Sequence, residues 1–458
     1  RNGVDMTDLI TRALRNATDT RAVVIGEGAV ERTGEVFTEL FGTTRAVVVA
    51  DERTFTLAGK RVSESLAAAG VELADPHIFP GEPELYAKYE NCEALRDALA
   101  PVDAIAVAVG SGTLNDITKR ASGELGRPYM VVGTAASMDG YTAFGSSIAL
   151  DGFKQTLSCP APCGCVADLT VMSAAPQVMT ASGYGDLLGK IPAGADWILS
   201  DVLGIEAIDQ GVWELVQGPL RGAVSRPAEL AVGDVSATGE LVEGLLMSGL
   251  AMQAHQSSRP ASGAEHQFSH LWEMEGHGVD ITPRRLSHGF KVGIGTVAIA
   301  ALYERLLARD LTGLDIDAAV TAWPTREGLE AGVRELHPDP RLVEETVVQA
   351  LAKWLPPEQL RVRLELLVAV WPELSVRLRE QLLPAAELQG MLRAVGAPAH
   401  PQDIGLGWDR FRETYVRAQM IRKRYTVLDL ALETNLLGEL VEELFAPDGF
   451  WGRQAPGH

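Results

Sequence analysis

Up to about residue 172 the sequence alternates short β-branched apolar runs with stretches of helical periodicity, and after Asp168 the runs stop. This switch constrains the fold most. Strands alternating with helices build a parallel sheet with crossover connections, whereas a long tract without strand signal buries itself as packed helices. The strand candidates are Ala22 to Ile25, Ala46 to Ala50, His77 to Phe79, Ala104 to Val109, Tyr129 to Val132 and Gly164 to Ala167, each followed by glycine or polar turn chemistry. Between them the pattern is amphipathic: Leu57 to Ala69 places Val62, Leu66 and Ala69 on one face, with Gly70 where a C-terminal cap belongs. Ser173, before Ala174-Ala175-Pro176, reads as a helix start. An α/β domain over residues 1–172 and an all-helical domain over 173–458 are expected.

Charge narrows the partners. The 458 residues carry 40 Lys and Arg against 61 Asp and Glu, a formal charge of −21, which disfavours nucleic acid and anionic membrane surfaces at long range. An anionic substrate would need a locally basic pocket. The longest near-continuous apolar run, Val292 to Tyr303, is too short for a bilayer span of about 20 residues, and Gly293 and Gly295 interrupt it. The residues from Arg1 to Asp8 lack the apolar centre of a secretory signal, so a cytoplasmic location is expected. Four cysteines are too few for a disulfide framework. Three of them, Cys159, Cys163 and Cys165, crowd together at a spacing that matches no standard zinc pattern, and reduced structural thiols are expected there.

Four strand ends are candidates for binding chemistry. The first runs into Gly26-Glu27-Gly28, a Gly-x-Gly without a third glycine, which reads as a tight turn more readily than as a phosphate contact. Asp51 closes the second strand, where an acid takes adenosine ribose hydroxyls and repels a 2′-phosphate, tilting the expectation toward NAD over NADP. The fourth strand opens into Gly110-Ser111-Gly112-Thr113-Leu114-Asn115-Asp116, where glycines precede a helix whose N-terminal amides suit a pyrophosphate. A capped structural turn would read the same way. The next loop, Gly133-Thr134-Ala135-Ala136-Ser137-Met138-Asp139, places small and hydroxyl residues beside an acid, and strand C-terminal ends are where open α/β sheets bind ligands.

The helical tract supplies a second kind of chemistry. Asp186 stands in Ser182-Gly183-Tyr184-Gly185-Asp186-Leu187-Leu188-Gly189-Lys190, where glycines crowd a helical stretch, either for a ligand or for a close helix crossing. His266 and His270, at i and i+4, share a helix face, and His288 follows. With Asp186 they make an O/N donor set for a divalent metal, although lone histidines are often structural and His255 and His277 lie close enough to confuse the count.

Five ordered stretches, Gly110 to Lys119, Thr134 to Tyr141, Gly185 to Lys190, Ser257 to His266 and His288 to Gly295, with Arg424 to Leu430 near the end, resemble the sn-glycerol-1-phosphate dehydrogenases, bacterial branch. The resemblance spans nearly the whole chain. It implies a Rossmann-like nucleotide-binding domain followed by an all-α metal-binding domain of the dehydroquinate synthase-like kind, and reduction of dihydroxyacetone phosphate by NADH or NADPH. By resemblance, Gly110, Ser111, Gly112, Thr113, Asn115 and Asp116 with Thr134, Ala135, Ala136 and Ser137 hold the dinucleotide. Asp139 touches substrate; Asp186, His266 and His288 bind the metal, nickel in the bacterial branch and zinc in the archaeal; His270 faces substrate. The family's serine near the cofactor, four residues after Asp139, is replaced here by Ala143, beside Thr142. A homodimer is expected on the same ground.

The residue types fit that chemistry. Three protein ligands leave a metal coordination position open for a substrate oxygen, which makes Asp186 and His270 the expected catalytic pair. Lys154, Lys190, Arg259 and Lys291 are the candidates for the substrate phosphate. Two rival readings use the same architecture: an NAD- and metal-dependent sugar-phosphate cyclase of the dehydroquinate synthase kind, and a dehydrogenase of an unphosphorylated polyol. The first usually has a glutamate where Asp186 stands, and the second needs no basic pocket. A non-catalytic protein has no physical reason to keep buried His and Asp at all three metal positions.

Overall fold

A computed structural model describes residues 6–151, 153–279 and 286–455. The chain forms two compact units, one of Arg1–Leu187, Gln210–Ala261 and Ala394–Ala397, the other of Leu188–Asp209, Ser262–Arg393 and Pro398–His458.

The first unit is organised by a six-stranded parallel sheet. Its strands are β1 (Ala22–Gly26), β2 (Ala46–Asp51), β3 (His77–Phe79), β4 (Ile105–Gly110), β5 (Tyr129–Gly133) and, after a hairpin of β6 (Ser146–Leu150) and β7 (Phe153–Leu157), β8 (Gly164–Asp168). They lie in the order β1-β8-β5-β4-β2-β3. Central strands covered by helices on both faces have no polar side, which is why they read as unbroken apolar runs. Val48, Val107, Val109, Met130, Val132 and Val166 form the core on one such face. All six expected strands are present within a residue or two of their expected ends. The hairpin was not expected.

Two local expectations need correcting. Ser173 ends a short helix, Leu169–Ser173, rather than opening one. Asp168 caps that helix by accepting from the amides of Thr170 (3.0 Å) and Val171 (3.2 Å), and the next helix, Gln177–Leu188, starts just after Pro176. The helix expected over 57–69 is Lys60–Ala68, entered through a wider turn at Phe55–Gly59. After β8 no further strand occurs among the described residues.

The second unit is helical. An aromatic cluster anchors its helix Ala264–Met274: Phe268 meets Tyr415 edge-on at 5.0 Å, and Trp272 donates through its indole N–H to Thr414 Oγ1 at 3.0 Å. The neighbouring helix His288–Leu307 comes so close that a Cβ on Gly295 would sit 2.5 Å from the Glu265 carbonyl oxygen. Only glycine permits that approach. It sets the two helices side by side, with His288 at the start of one facing His266 and His270 on the other.

Candidate active site and metal centre

The loop after β4 leads into a helix start that no side chain caps. Ser111 is the N-cap of the helix Gly112–Glu124, but its hydroxyl makes no capping bond, and no acid occupies the first turn. The first-turn amides, with the positive end of the helix dipole, suit a phosphate. Thr134 N–H donates to the Gly110 carbonyl at 3.0 Å, coupling this loop to the one after β5. The side chains of Asn115 and Asp116 point into the protein. Asn115 accepts from Tyr129 OH at 2.8 Å and is fully buried. Burial pushes the Asp116 carboxyl up to about 6, with Lys119, Lys154 and the Ser147 amide opposing.

The loop after β5 is held from below by one cation. Buried Lys119 donates to the carbonyls of Gly140 (2.9 Å), Ala143 (2.7 Å) and Gly145 (3.1 Å), which fixes the backbone that carries Asp139. Thr142 spends its hydroxyl on the Leu246 carbonyl at 2.7 Å, so it does not take over for the serine that Ala143 replaces. Thr134, Ala135 and Ala136 are buried, while Ser137 is half-buried with its Oγ 3.4 Å from Tyr141 OH. The helix Gln177–Leu188 packs so tightly on this loop that a Cβ on Gly183 would lie 2.0 Å from the Ala136 carbonyl oxygen. Glycine there serves a close crossing, one of the two readings the sequence allowed. Asp139 N–H donates to Asp186 Oδ2 at 3.1 Å, and its own Oδ2 accepts from Ser248 Oγ at 2.9 Å.

At the end of β2, Asp51 is half-buried and caps the turn that follows: its Oδ1 accepts from the Thr54 amide at 2.8 Å. Around the first strand end, the buried Asp168 accepts from Val30 N–H at 3.0 Å and fixes the Gly26-Glu27-Gly28 turn.

The histidines form a triangle. Ring centroids lie 5.3 Å apart for His266 and His288, 5.8 Å for His266 and His270, and 5.7 Å for His270 and His288. Each ring has its Nδ1 beside a carboxylate: His266 at 2.7 Å from Glu265 Oε1, His288 at 2.8 Å from Glu273 Oε1 and His270 at 3.3 Å from Glu273 Oε2. Nε2 is then the nitrogen left for a ligand. Asp186 is fully buried, and one donor atom each from Asp186, His266 and His288 lie within 4.8 Å of one another. An oxygen and two imidazole nitrogens, with the rings already oriented, fit a divalent metal of borderline hardness. His277 is engaged elsewhere, its Nε2 on the Ile404 carbonyl at 2.6 Å.

Burial, then the Arg422 charge, holds His270 well below the usual histidine range, against the pull of Glu273. Arg422 itself was not expected from the sequence, nor were Glu265 and Glu273. The available signals were the Glu265-His266 adjacency and the i,i+3 spacing of His270 and Glu273. Among the phosphate candidates, Lys291 lies 3.8 Å from Glu273 Oε1 and is buried, as are Lys190 and Arg259. Lys154 is half-buried on β7 and lies near enough to Asp116 to favour its charged form. All four cysteines are free thiols.

A parallel sheet with glycine loops at its strand ends, followed by helices with an Asp/His/His donor set, places the chain among nucleotide- and metal-dependent dehydrogenases. The model of the iron-containing alcohol dehydrogenases matches residues 24–176. A probable glycerol dehydrogenase from Sinorhizobium meliloti superposes with a TM-score of 0.58 over 95% of this chain and 98% of its own, at 15% identity, and shares the fold. Within that class, a glycerol-1-phosphate dehydrogenase [NAD(P)+] from Bacillus licheniformis is 33% identical over 344 residues, covering 72% of this chain and 84% of its own. Another, from Halalkalibacterium halodurans, is 30% identical over 405 residues, covering 88% and 90%. The chain belongs to the glycerol-1-phosphate dehydrogenase family. It is an oxidoreductase with a nucleotide cofactor and a divalent metal. No helix of the described residues is long and apolar enough to cross a membrane.

Proposed function

We propose that the chain interconverts dihydroxyacetone phosphate and sn-glycerol 1-phosphate with NAD(P)H, residues 1–172 holding the dinucleotide and 173–458 the metal and substrate. The observation that carries the reading is the donor set of Asp186, His266 and His288 within 4.8 Å, with a third imidazole, His270, 5.7 Å from His288. When bound, a divalent metal, Ni²⁺ or Zn²⁺, supplies Lewis acidity at a substrate oxygen, and the reduced nicotinamide supplies the hydride.

The chain's own residues do the rest. Gly110, Ser111, Gly112 and Thr113 offer backbone amides to the pyrophosphate, and Thr134 to Ser137 line the same pocket, shaped from beneath by Asn115, Asp116 and Lys119. Asp51 meets the adenosine ribose. Asp139, its carboxylate braced by Ser248, hydrogen-bonds a substrate hydroxyl. His270 takes the proton of the C2 hydroxyl at Nε2 in the oxidation direction and returns it to the C2 oxygen in reduction, as hydride reaches C2. Lys154, Lys190, Arg259 and Lys291 are the groups from which the phosphate contact is drawn. The enzyme works in the cytoplasm as a homodimer.

The test is NADH oxidation with dihydroxyacetone phosphate, using metal-stripped protein reloaded separately with Ni²⁺ and Zn²⁺, with chiral analysis of the product. Metal-dependent formation of the sn-1 isomer supports the reading. Turnover of dihydroxyacetone at the same KM, or no turnover with either metal, overturns it.

A further inference from the structure

We propose that Glu273 is a positioning residue shared by two histidines with different tasks, so that one carboxylate sets both the metal ligand His288 and the proton-handling His270. The inference rests on the metal reading above. Glu273 lies near the end of the helix Ala264–Met274, with its side chain 3% exposed. Its Oε1 is 2.8 Å from His288 Nδ1, and its Oε2 is 3.3 Å from His270 Nδ1.

A carboxylate only accepts hydrogen bonds, so each Nδ1 facing it carries the proton and each Nε2 keeps its lone pair. That is the tautomer a metal ligand needs and the one that lets His270 accept a proton from substrate. His266 obtains the same tautomer separately, from Glu265 Oε1 at 2.7 Å. The sharing is what is particular to Glu273. Ser269 Oγ, 3.3 Å from His288 Nδ1, can both donate and accept and so cannot define that tautomer. Lys291 Nζ, 3.8 Å from Oε1, adds a positive charge that favours the ionised carboxylate.

The variant Glu273→Gln separates this role from packing. Glutamine has nearly the same shape, but its amide offers one acceptor oxygen and an NH₂ that donates. One of the two imidazole N–H groups therefore loses its acceptor while the helix keeps its side-chain volume.

The experiment follows release of Zn²⁺ from the reloaded full-length chain to a chromophoric chelator, for the unchanged protein, Glu273→Gln and Glu273→Ala. Side-chain ¹⁵N shifts of the histidines are recorded on the Zn²⁺-loaded samples, and melting of the metal-free proteins reports whether each variant folds. The expected result is release about 10–100-fold faster in Glu273→Gln, the usual effect of losing a hydrogen bond behind a metal ligand, with His270 or His288 leaving the Nδ1–H form. Should Glu273→Ala fail to fold, Glu273→Gln still decides. Unchanged release with both rings still protonated at Nδ1 in Glu273→Gln overturns the proposal. An unchanged protein that retains no Zn²⁺ or Ni²⁺ overturns the metal reading as well, and so is distinguishable from failure of the Glu273 role alone.

Discussion

The glycine loops after β4 and β5 and the histidine triangle are prepared for charged partners by opposite means. The loops use backbone: amides at a helix start, an uncapped Ser111, and the Thr134 to Gly110 hydrogen bond. The triangle uses ionisable side chains, His266 buried and His270 and His288 half-buried, each faced by a carboxylate. Backbone donors cost little to bury because the neighbouring turns already satisfy most of them, so the loops can be small and neutral. Buried imidazole and carboxylate groups are costly unless paired, so the metal side needs a second layer of acids. Substitutions should therefore damage the two regions differently.

The largest effect belongs to the donors. His266→Ala or Asp186→Ala removes a ligand, and kcat/KM falls by about 10³-fold or more, with loss of metal by elemental analysis and no change in NADH binding. His270→Ala comes next. Its kcat falls by about 10²-fold while metal content stays the same, which separates proton handling from metal retention. A fall in metal content with His270→Ala would show the triangle to be a four-donor site.

Damage to the backbone region should spare the metal. Gly183→Ala places a Cβ 2.0 Å from the Ala136 oxygen, and neither backbone yields easily. It lowers stability by about 1–3 kcal/mol and raises the KM for NADH, with metal content unchanged. Asp51→Ala removes a cap, at about 1 kcal/mol, and narrows the preference for NADH over NADPH, measured as the ratio of their kcat/KM values.

The smallest effect is on pH dependence, and it belongs to the helical unit. Burial pushes the Glu433 carboxyl up to about 7, despite Arg363 and the Tyr425 hydroxyl, against about 4.3 in an unfolded chain. The folded state therefore binds this proton more tightly. The group favours folding most below the unfolded value, and that contribution is lost as pH rises through about 7. Glu433→Gln should make the melting temperature fall less between pH 5 and pH 8 than it does in the unchanged chain.

How far the sequence disclosed this follows from the same contrast. The parallel strands were legible because burial on both faces leaves apolar runs that polar residues do not interrupt. The hairpin was not, since Ser146–Leu150 and Phe153–Leu157 are short and mixed, though the Asp151-Gly152 pair between them was a usable turn signal. The candidate metal donors stood out by residue type, and the i,i+4 spacing put one of them, His266, on the same helix face as His270. Their partners did not stand out. Glu265 and Glu273 look like an ordinary solvated charge pattern until the fold buries them and sets Arg422 beside His270, and that the side chains of Asn115 and Asp116 turn inward was not legible either. Ser173 misled because Asp168, five residues earlier, was the stronger cap.

The most direct test of the account is a pair of titrations, Zn²⁺ and NADH, on the metal-free chain and on His266→Ala. The account predicts one Zn²⁺ per unchanged chain, none of comparable affinity on His266→Ala, and the same NADH affinity on both. Zn²⁺ binding that survives the substitution would contradict the assignment of the metal to this cluster, and loss of NADH binding along with the metal would contradict the separation of the two regions.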